Sequence, residues 1–265
     1  MARVTTVALR ELKAAREKIA VLTAYDYPCA KLMDESGVDV ILVGDTVGMV
    51  VMGRRNTLTV TMDDMVHHVR MVSAAAKRAL VVGDMPFLSY QVSVEEAVHN
   101  AGRLVVEGGA QAVKAEGPAD KFGDVFAAIL RAGIPVMGHI GLLPQSIHQI
   151  GGYKIQGRDE HSRARLKEEA QGLAQIGCFA LVLECIPADL AAEITEMVSI
   201  PTIGIGAGSA CDGQVLVMHD MLGLGKETTY CKKYADLATV MKEAFVQYVR
   251  EVKAGEFPAE EHTFK

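Results

Sequence analysis

The chain has 265 residues, half of them hydrophobic, with 33 acidic side chains against 27 basic ones and a formal charge of −6. That is enough apolar material for one large domain, and an acidic balance without any basic block gives nucleic acid or anionic lipid nothing to be drawn to, leaving small molecules as the expected partners. No apolar run reaches the roughly 18 residues of a membrane span, residues 1–18 mix both charges without a secretory core, and five cysteines without a C-x-x-C pair fit reduced thiols in the cytoplasm.

Leu9 and Leu12, with Lys13 and Arg16, predict a short amphipathic helix suited to covering one end of a barrel. Eight strands are then expected: Ile19–Leu22, Val40–Val43, Leu80–Val82, Ala112–Lys114, Pro135–Gly138, Ala180–Leu183, Thr202–Ile205 and Val215–Met218. Between most of them lie helical stretches with start signals. Thr61 with Asp64 and Ser93 with Glu96 have capping-box spacing ahead of apolar periodicity. Only residues 206–214 separate the last two strands, so a short turn or a single helical turn replaces the full helix there. Eight alternating units without a Gly-x-Gly-x-x-Gly turn after Leu22 predict an α/β fold, a (β/α)8 TIM barrel of parallel strands, as a single domain over residues 1–265. From Tyr234 to Val252, an apolar stripe of Leu237, Val240, Met241, Ala244, Phe245 and Val249 predicts a C-terminal helix packed on the barrel or on a neighbouring subunit.

Four of the apolar runs stop at an acid: Asp45, Asp84, Glu116 and Glu184. Parallel barrels gather their chemistry at the carboxyl ends of the strands. Period-two alternation puts Ile41, Val43 and Asp45 on one face, and likewise Val82 with Asp84, Lys114 with Glu116, and Val182 with Glu184. A single strand-end acid serves structural ion pairing as readily as function; four together favour one site. Close carboxylates repel unless a cation neutralises them or one holds a proton. Without zinc-like Cys or His spacing nearby, oxygen ligands suit Mg²⁺ better than Zn²⁺. Lys114 is placed either to bind a substrate carboxylate or to pair internally with Glu116 or Asp84. His139, at a strand terminus, is a candidate substrate contact or acid-base group. Residues 141–157, with four glycines and Pro144, read as a lid or an ordinary surface loop. The Gly204–Gly208 run reads equally as a tight turn or a ligand-approaching loop, and Cys185 as an inert thiol.

Seven strings along the chain, residues 22–28, 43–48, 83–91, 113–117, 138–146, 151–157 and 204–208, resemble the ketopantoate (3-methyl-2-oxobutanoate) hydroxymethyltransferase family. The resemblance implies a (β/α)8 barrel that transfers a hydroxymethyl group from 5,10-methylenetetrahydrofolate, as co-substrate, to 3-methyl-2-oxobutanoate in pantothenate biosynthesis. It also implies bound Mg²⁺ and commonly a homodecamer. Asp45 and Asp84 then look like direct metal ligands and Glu116 like the third metal-site acid. Asp45, Thr46, Asp84, Lys114 and His139 look like substrate-binding positions, and Glu184 like the catalytic proton acceptor. The implied chemistry is a Mg²⁺-stabilised enolate of the keto acid. Two departures stand out: Thr46 replaces the family's usual Ser, and residues 226–231 lack the expected Pro and Phe. The rival enzyme class is a Mg²⁺-dependent carbon–carbon lyase of the phosphoenolpyruvate mutase and isocitrate lyase type.

Overall fold

The computed structural model describes residues 2–225 and 228–264. Short runs rich in β-branched and aliphatic residues, buried along most of their length except at Ala20 and Gln214, form eight strands: β1 Ile19–Thr23, β2 Val40–Val43, β3 Leu80–Asp84, β4 Ala112–Glu116, β5 Val136–Gly141, β6 Ala180–Glu184, β7 Thr202–Ile205 and β8 Gly213–Leu216. Each pairs in parallel with the next, and β8 pairs back on β1, closing the barrel. The (β/α)8 reading therefore holds. The last strand lies two residues earlier than its apolar content suggested. Gly213 and Gln214 are not apolar, yet they supply the pairing with Ile203 and Gly204 on one side and Ile19 and Ala20 on the other.

The chain divides into two compact units, Met1–Val217 and Met218–Lys265. In the first, the helices are α1 Thr6–Ala15, α2 Tyr27–Glu35, α3 Val47–Val50, α4 Met62–Ala75, α5 Val94–Val106, α6 Ala119–Arg131, α7 Ile147–Ile150, α8 Glu160–Ile176 and α9 Ala188–Met197. Thr61 and Asp64 form the expected reciprocal cap on α4, and the Ser93 side chain accepts the Glu96 N–H at the start of α5. β7 and β8 are joined without a helix, as the short spacing required.

Alternation sends Ile19, Val21, Val40, Leu42, Leu80, Val82, Ala112, Met137, Ala180, Val182, Ile203 and Val215 into one interior cluster. Leu9, wholly buried on α1, joins it with Val4, so the N-terminal helix closes the barrel at the amino ends of its strands. Burial of a side chain of that size contributes about 2 kcal/mol. Because the layers below are filled, the open chemistry lies at the carboxyl ends.

The second unit holds α10 Met218–Met221 and α11 Leu237–Ala254. No residue of α11 is buried, and Val240, Met241, Phe245 and Val249 on its expected apolar stripe are exposed. The divergent stretch 226–231 falls partly outside the described residues.

Candidate active site

The carboxyl ends of β2 to β5 bring five of the expected residues into a buried polar cluster: Asp45, Asp84, Lys114, Glu116 and His139. Asp84 and Lys114 are register partners on β3 and β4. The Lys114 Nζ donates to both Asp84 oxygens at 2.8 Å, while Asp84 Oδ2 also accepts the Asp45 N–H at 3.2 Å. Burial raises the Asp84 pKa despite Lys114, and burial with the Asp84 and Glu116 charges raises that of Asp45 well above the carboxylate range. Lys114 is held above the usual lysine range because three acids outweigh its own burial.

Asp45 arrives by a different route from the one alternation suggested. Val40 and Leu42, not Ile41 and Val43, face the barrel interior. The strand ends at Val43, and the turn through Gly44 into α3 carries Asp45 to the site, so strand periodicity no longer applies there.

Glu116 on β4 and His139 on β5 are also register partners. The His139 ring lies between two acids: Nδ1 is 3.4 Å from Glu116 Oε1 and Nε2 is 3.2 Å from Glu184 Oε2, as charged contacts rather than aligned hydrogen bonds. Burial and the Lys114 charge lower the imidazole pKa, but the two carboxylates more than offset them and bring it up to about 9. The same contact works in reverse on Glu116. Burial would raise it, yet His139, Lys114 and the Gln145 N–H hold it below the usual range. The Glu184 side chain is 15% exposed, against 3% for Glu116 and 2% for Asp84, which makes it the most accessible acid of these three.

Thr46 caps no hydrogen-bond donor at the start of α3; its Oγ1 lies 2.6 Å from the Tyr25 hydroxyl, and Tyr25 is buried at the end of β1. Residues 141–157 are more ordered in form than a plain loop, with a 3-10 turn at Pro144–Ser146 running into α7. The Gln156 N–H donates to the Cys185 carbonyl at 2.9 Å, tying the far end beside Glu184. Cys185 is half-buried with its thiol pushed up to about 11 by burial and the Glu184 charge, in keeping with an inert role. The Gly204–Gly208 run begins in β7, which ends at Ile205, and then passes close to the start of α9, where a Cβ on Gly208 would stand 2.5 Å from that of Ala188.

Sequence reasoning missed Tyr90 and Gln145. The Tyr90 hydroxyl accepts the Glu116 N–H at 3.0 Å and lies 3.0 Å from both the Glu116 carbonyl and Gln145 Oε1, one of which receives its proton. Both residues sit in loop strings where no periodicity applies, so composition alone offered no signal.

Asp45, Asp84, Glu116 and Glu184 face Lys114 and His139, and burial disfavours the charged forms of Asp45 and Asp84, so a divalent cation fits this donor set as the charge that would offset them. Among the described residues no three His, Cys, Asp or Glu side chains converge tightly enough to enclose an ion unaided. That is compatible with Mg²⁺, which typically takes one or two carboxylates and fills its remaining positions with water and substrate oxygens.

The model of the ketopantoate hydroxymethyltransferase family matches residues 3–260. The chain belongs to this family. The 3-methyl-2-oxobutanoate hydroxymethyltransferase of Syntrophomonas wolfei is 56% identical over 100% of the chain and 96% of that protein, and that of Carboxydothermus hydrogenoformans 54% identical over the same shares. Among solved structures, phosphoenolpyruvate phosphomutase of Streptomyces platensis superposes with a TM-score of 0.65 at 15% identity, covering 98% of this chain and 92% of that one. At that identity the likeness concerns the fold alone. Family membership makes the chain a transferase and gives the strand-end cluster its place as the candidate active site. No helix among the described residues is long and apolar enough to cross a membrane.

Proposed function

We propose that the chain transfers a hydroxymethyl group from 5,10-methylenetetrahydrofolate to 3-methyl-2-oxobutanoate, giving 2-dehydropantoate for pantothenate synthesis. Family membership supports the reaction, and one observation carries the assignment of roles: Glu184 is a part-exposed carboxylate held by His139 at the edge of a buried acidic cluster. Asp45 and Asp84, with Glu116 as the third acid, would hold Mg²⁺, which supplies electron withdrawal from the keto acid's carbonyl when bound. The remaining work falls to the chain. Lys114 balances Asp84 and presents a fixed positive charge for the substrate carboxylate. Thr46, steadied by Tyr25, offers a hydroxyl at the same rim.

Glu184 removes the C3 proton, with His139 holding its carboxylate in place. The electron pair from the broken C–H bond forms the new C–C bond to the folate's one-carbon unit, one of the two C–N bonds of the methylene bridge having broken with its pair on nitrogen. Water supplies the hydroxyl oxygen as the second C–N bond breaks, and the proton held by Glu184 and the one released by water end on the two tetrahydrofolate nitrogens. Mg²⁺ as the ion in the cell, a cytoplasmic setting and a homo-oligomer, decameric by family resemblance, belong to the same reading. The exposed apolar stripe on α11 supports assembly.

The test is incubation with 3-methyl-2-oxobutanoate and methylenetetrahydrofolate, with and without Mg²⁺, followed by product identification. Ketopantoate formed only when both folate and Mg²⁺ are present is expected. Cleavage of a 2-hydroxy acid without any folate would instead point to a carbon–carbon lyase.

A further inference from the structure

Gln145 makes more polar contacts within the cluster than any role in a surface loop would require. It is 5% exposed, on the 3-10 turn Pro144–Ser146 that follows β5. Its Nε2 donates to Asp45 Oδ2 at 3.0 Å and to the Met85 carbonyl at 2.9 Å. Its backbone N–H donates to Glu116 Oε2 at 3.1 Å. Its Oε1 lies 3.0 Å from the Tyr90 hydroxyl and accepts from Gln91 Nε2 at 3.2 Å. The amide has one workable orientation. The Met85 carbonyl presents only an acceptor and so needs the NH₂ side, while Gln91 presents its own NH₂ and so needs the oxygen.

We infer that Gln145 is a positioning residue that fixes the Asp45 carboxylate and ties it to Glu116. The inference rests on the metal-site reading of Asp45 and Glu116 given above. Asp45 sits past the end of β2, where no strand ladder holds it, so an external clamp must set its direction. Gln145 provides one hydrogen bond from its side chain to Asp45 and one from its backbone to Glu116. These two acids come from β2 and β4, which are not neighbours in the barrel. Partners one step removed from a metal typically set ligand direction and are worth 10–100-fold in metal affinity.

Replacing Gln145 by Met keeps volume and the backbone bond to Glu116 but removes the side-chain hold on Asp45. The experiment is calorimetric titration of the full-length chain with Mg²⁺ alone, in parent and Gln145→Met, beside urea unfolding in EDTA. A Mg²⁺ affinity weakened roughly 10–100-fold, with the cooperative unfolding transition retained in EDTA, is expected. If Gln145→Met does not fold, Gln145→Asn, whose amide is one methylene too short to span the gap, is read in its place with the same expectation. Mg²⁺ affinity within two-fold of the parent in a folded variant overturns the inference while leaving the proposed reaction intact. A parent that binds no Mg²⁺ overturns the metal reading and this inference together, and ketopantoate formation by the parent shows separately whether the reaction survives.

Discussion

Lys114 and Asp84 form a two-pronged ion pair with side chains only 5% and 2% exposed, the ammonium 2.8 Å from each carboxylate oxygen. Removing one partner of such a pair leaves the other buried and uncompensated, at a cost of about 3–5 kcal/mol. Lys114→Met should therefore lower the free energy of unfolding obtained from urea titration at pH 7 by that amount. The loss should be smaller at pH 5 than at pH 7, because burial already favours the neutral form of Asp84. An equal loss at both pH values would mean that charge at Asp84 is not what the lysine offsets.

Glu184→Gln preserves shape and removes the basic oxygen. Its expected signature is retained Mg²⁺ and substrate binding with exchange of the substrate C3 proton into D₂O reduced by about 10²–10⁴-fold, the usual contribution of a general base. Exchange at the parent rate would take Glu184 out of this role.

Much of the site was legible because it continues a strand. Asp84, Glu116 and Glu184 close β3, β4 and β6, and Lys114 precedes Glu116 on the same face, so period-two alternation finds them. Asp45 was found for a weaker reason, its position after an apolar run, since β2 ends two residues before it. Tyr90 and Gln145 act through contacts between loops distant in sequence, and nothing in their own neighbourhoods marks a buried amide or phenol. β8 was displaced because its Gly213 and Gln214 pair through backbone groups that hydrophobicity does not report.

His139 links ionisation to stability. Its folded pKa of about 9 lies above the ordinary imidazole value near 6.5. The stabilisation is therefore fully present below about pH 6.5 and is lost as pH rises through about 9. The size of the shift corresponds to roughly 3 kcal/mol. Unfolding measured in EDTA should show the parent losing more stability between pH 6.5 and 9.5 than His139→Gln. Comparing the two cancels thiol ionisation in that range, and parallel curves would exclude a protonated His139 between Glu116 and Glu184.

The exposed stripe on α11 predicts self-association. Phe245 and Val249 lie four residues apart and are 61% and 47% exposed. Large apolar side chains grouped on one helix face are a usual mark of an interface. Phe245→Glu with Val249→Glu should shift light-scattering mass after size exclusion from an oligomer toward smaller species. An unchanged mass would place the interface elsewhere.

Gly141 is the point where β5 is pressed against the backbone of the proposed base. Its φ is +97°, and a Cβ built there would stand 2.2 Å from the Glu184 carbonyl oxygen and 2.9 Å from Ile186 Cγ2. That oxygen accepts the Leu142 N–H at 2.9 Å, so it is already fixed by the chain on both sides. Gly141→Ala thus adds a left-handed backbone cost of about 1 kcal/mol to a collision that side-chain rotation cannot relieve. Relief requires β5 and β6 to separate at their ends, which pulls Glu184 away from His139. The expected result is a loss of at least about 2 kcal/mol in stability together with a fall in kcat larger than any rise in KM for the keto acid, because the base moves while Asp84 on β3 and Lys114 on β4 stay in place. Parent-like stability and kcat in Gly141→Ala would mean that the ends of β5 and β6 give way without disturbing Glu184, and that the close backbone approach does not position the base.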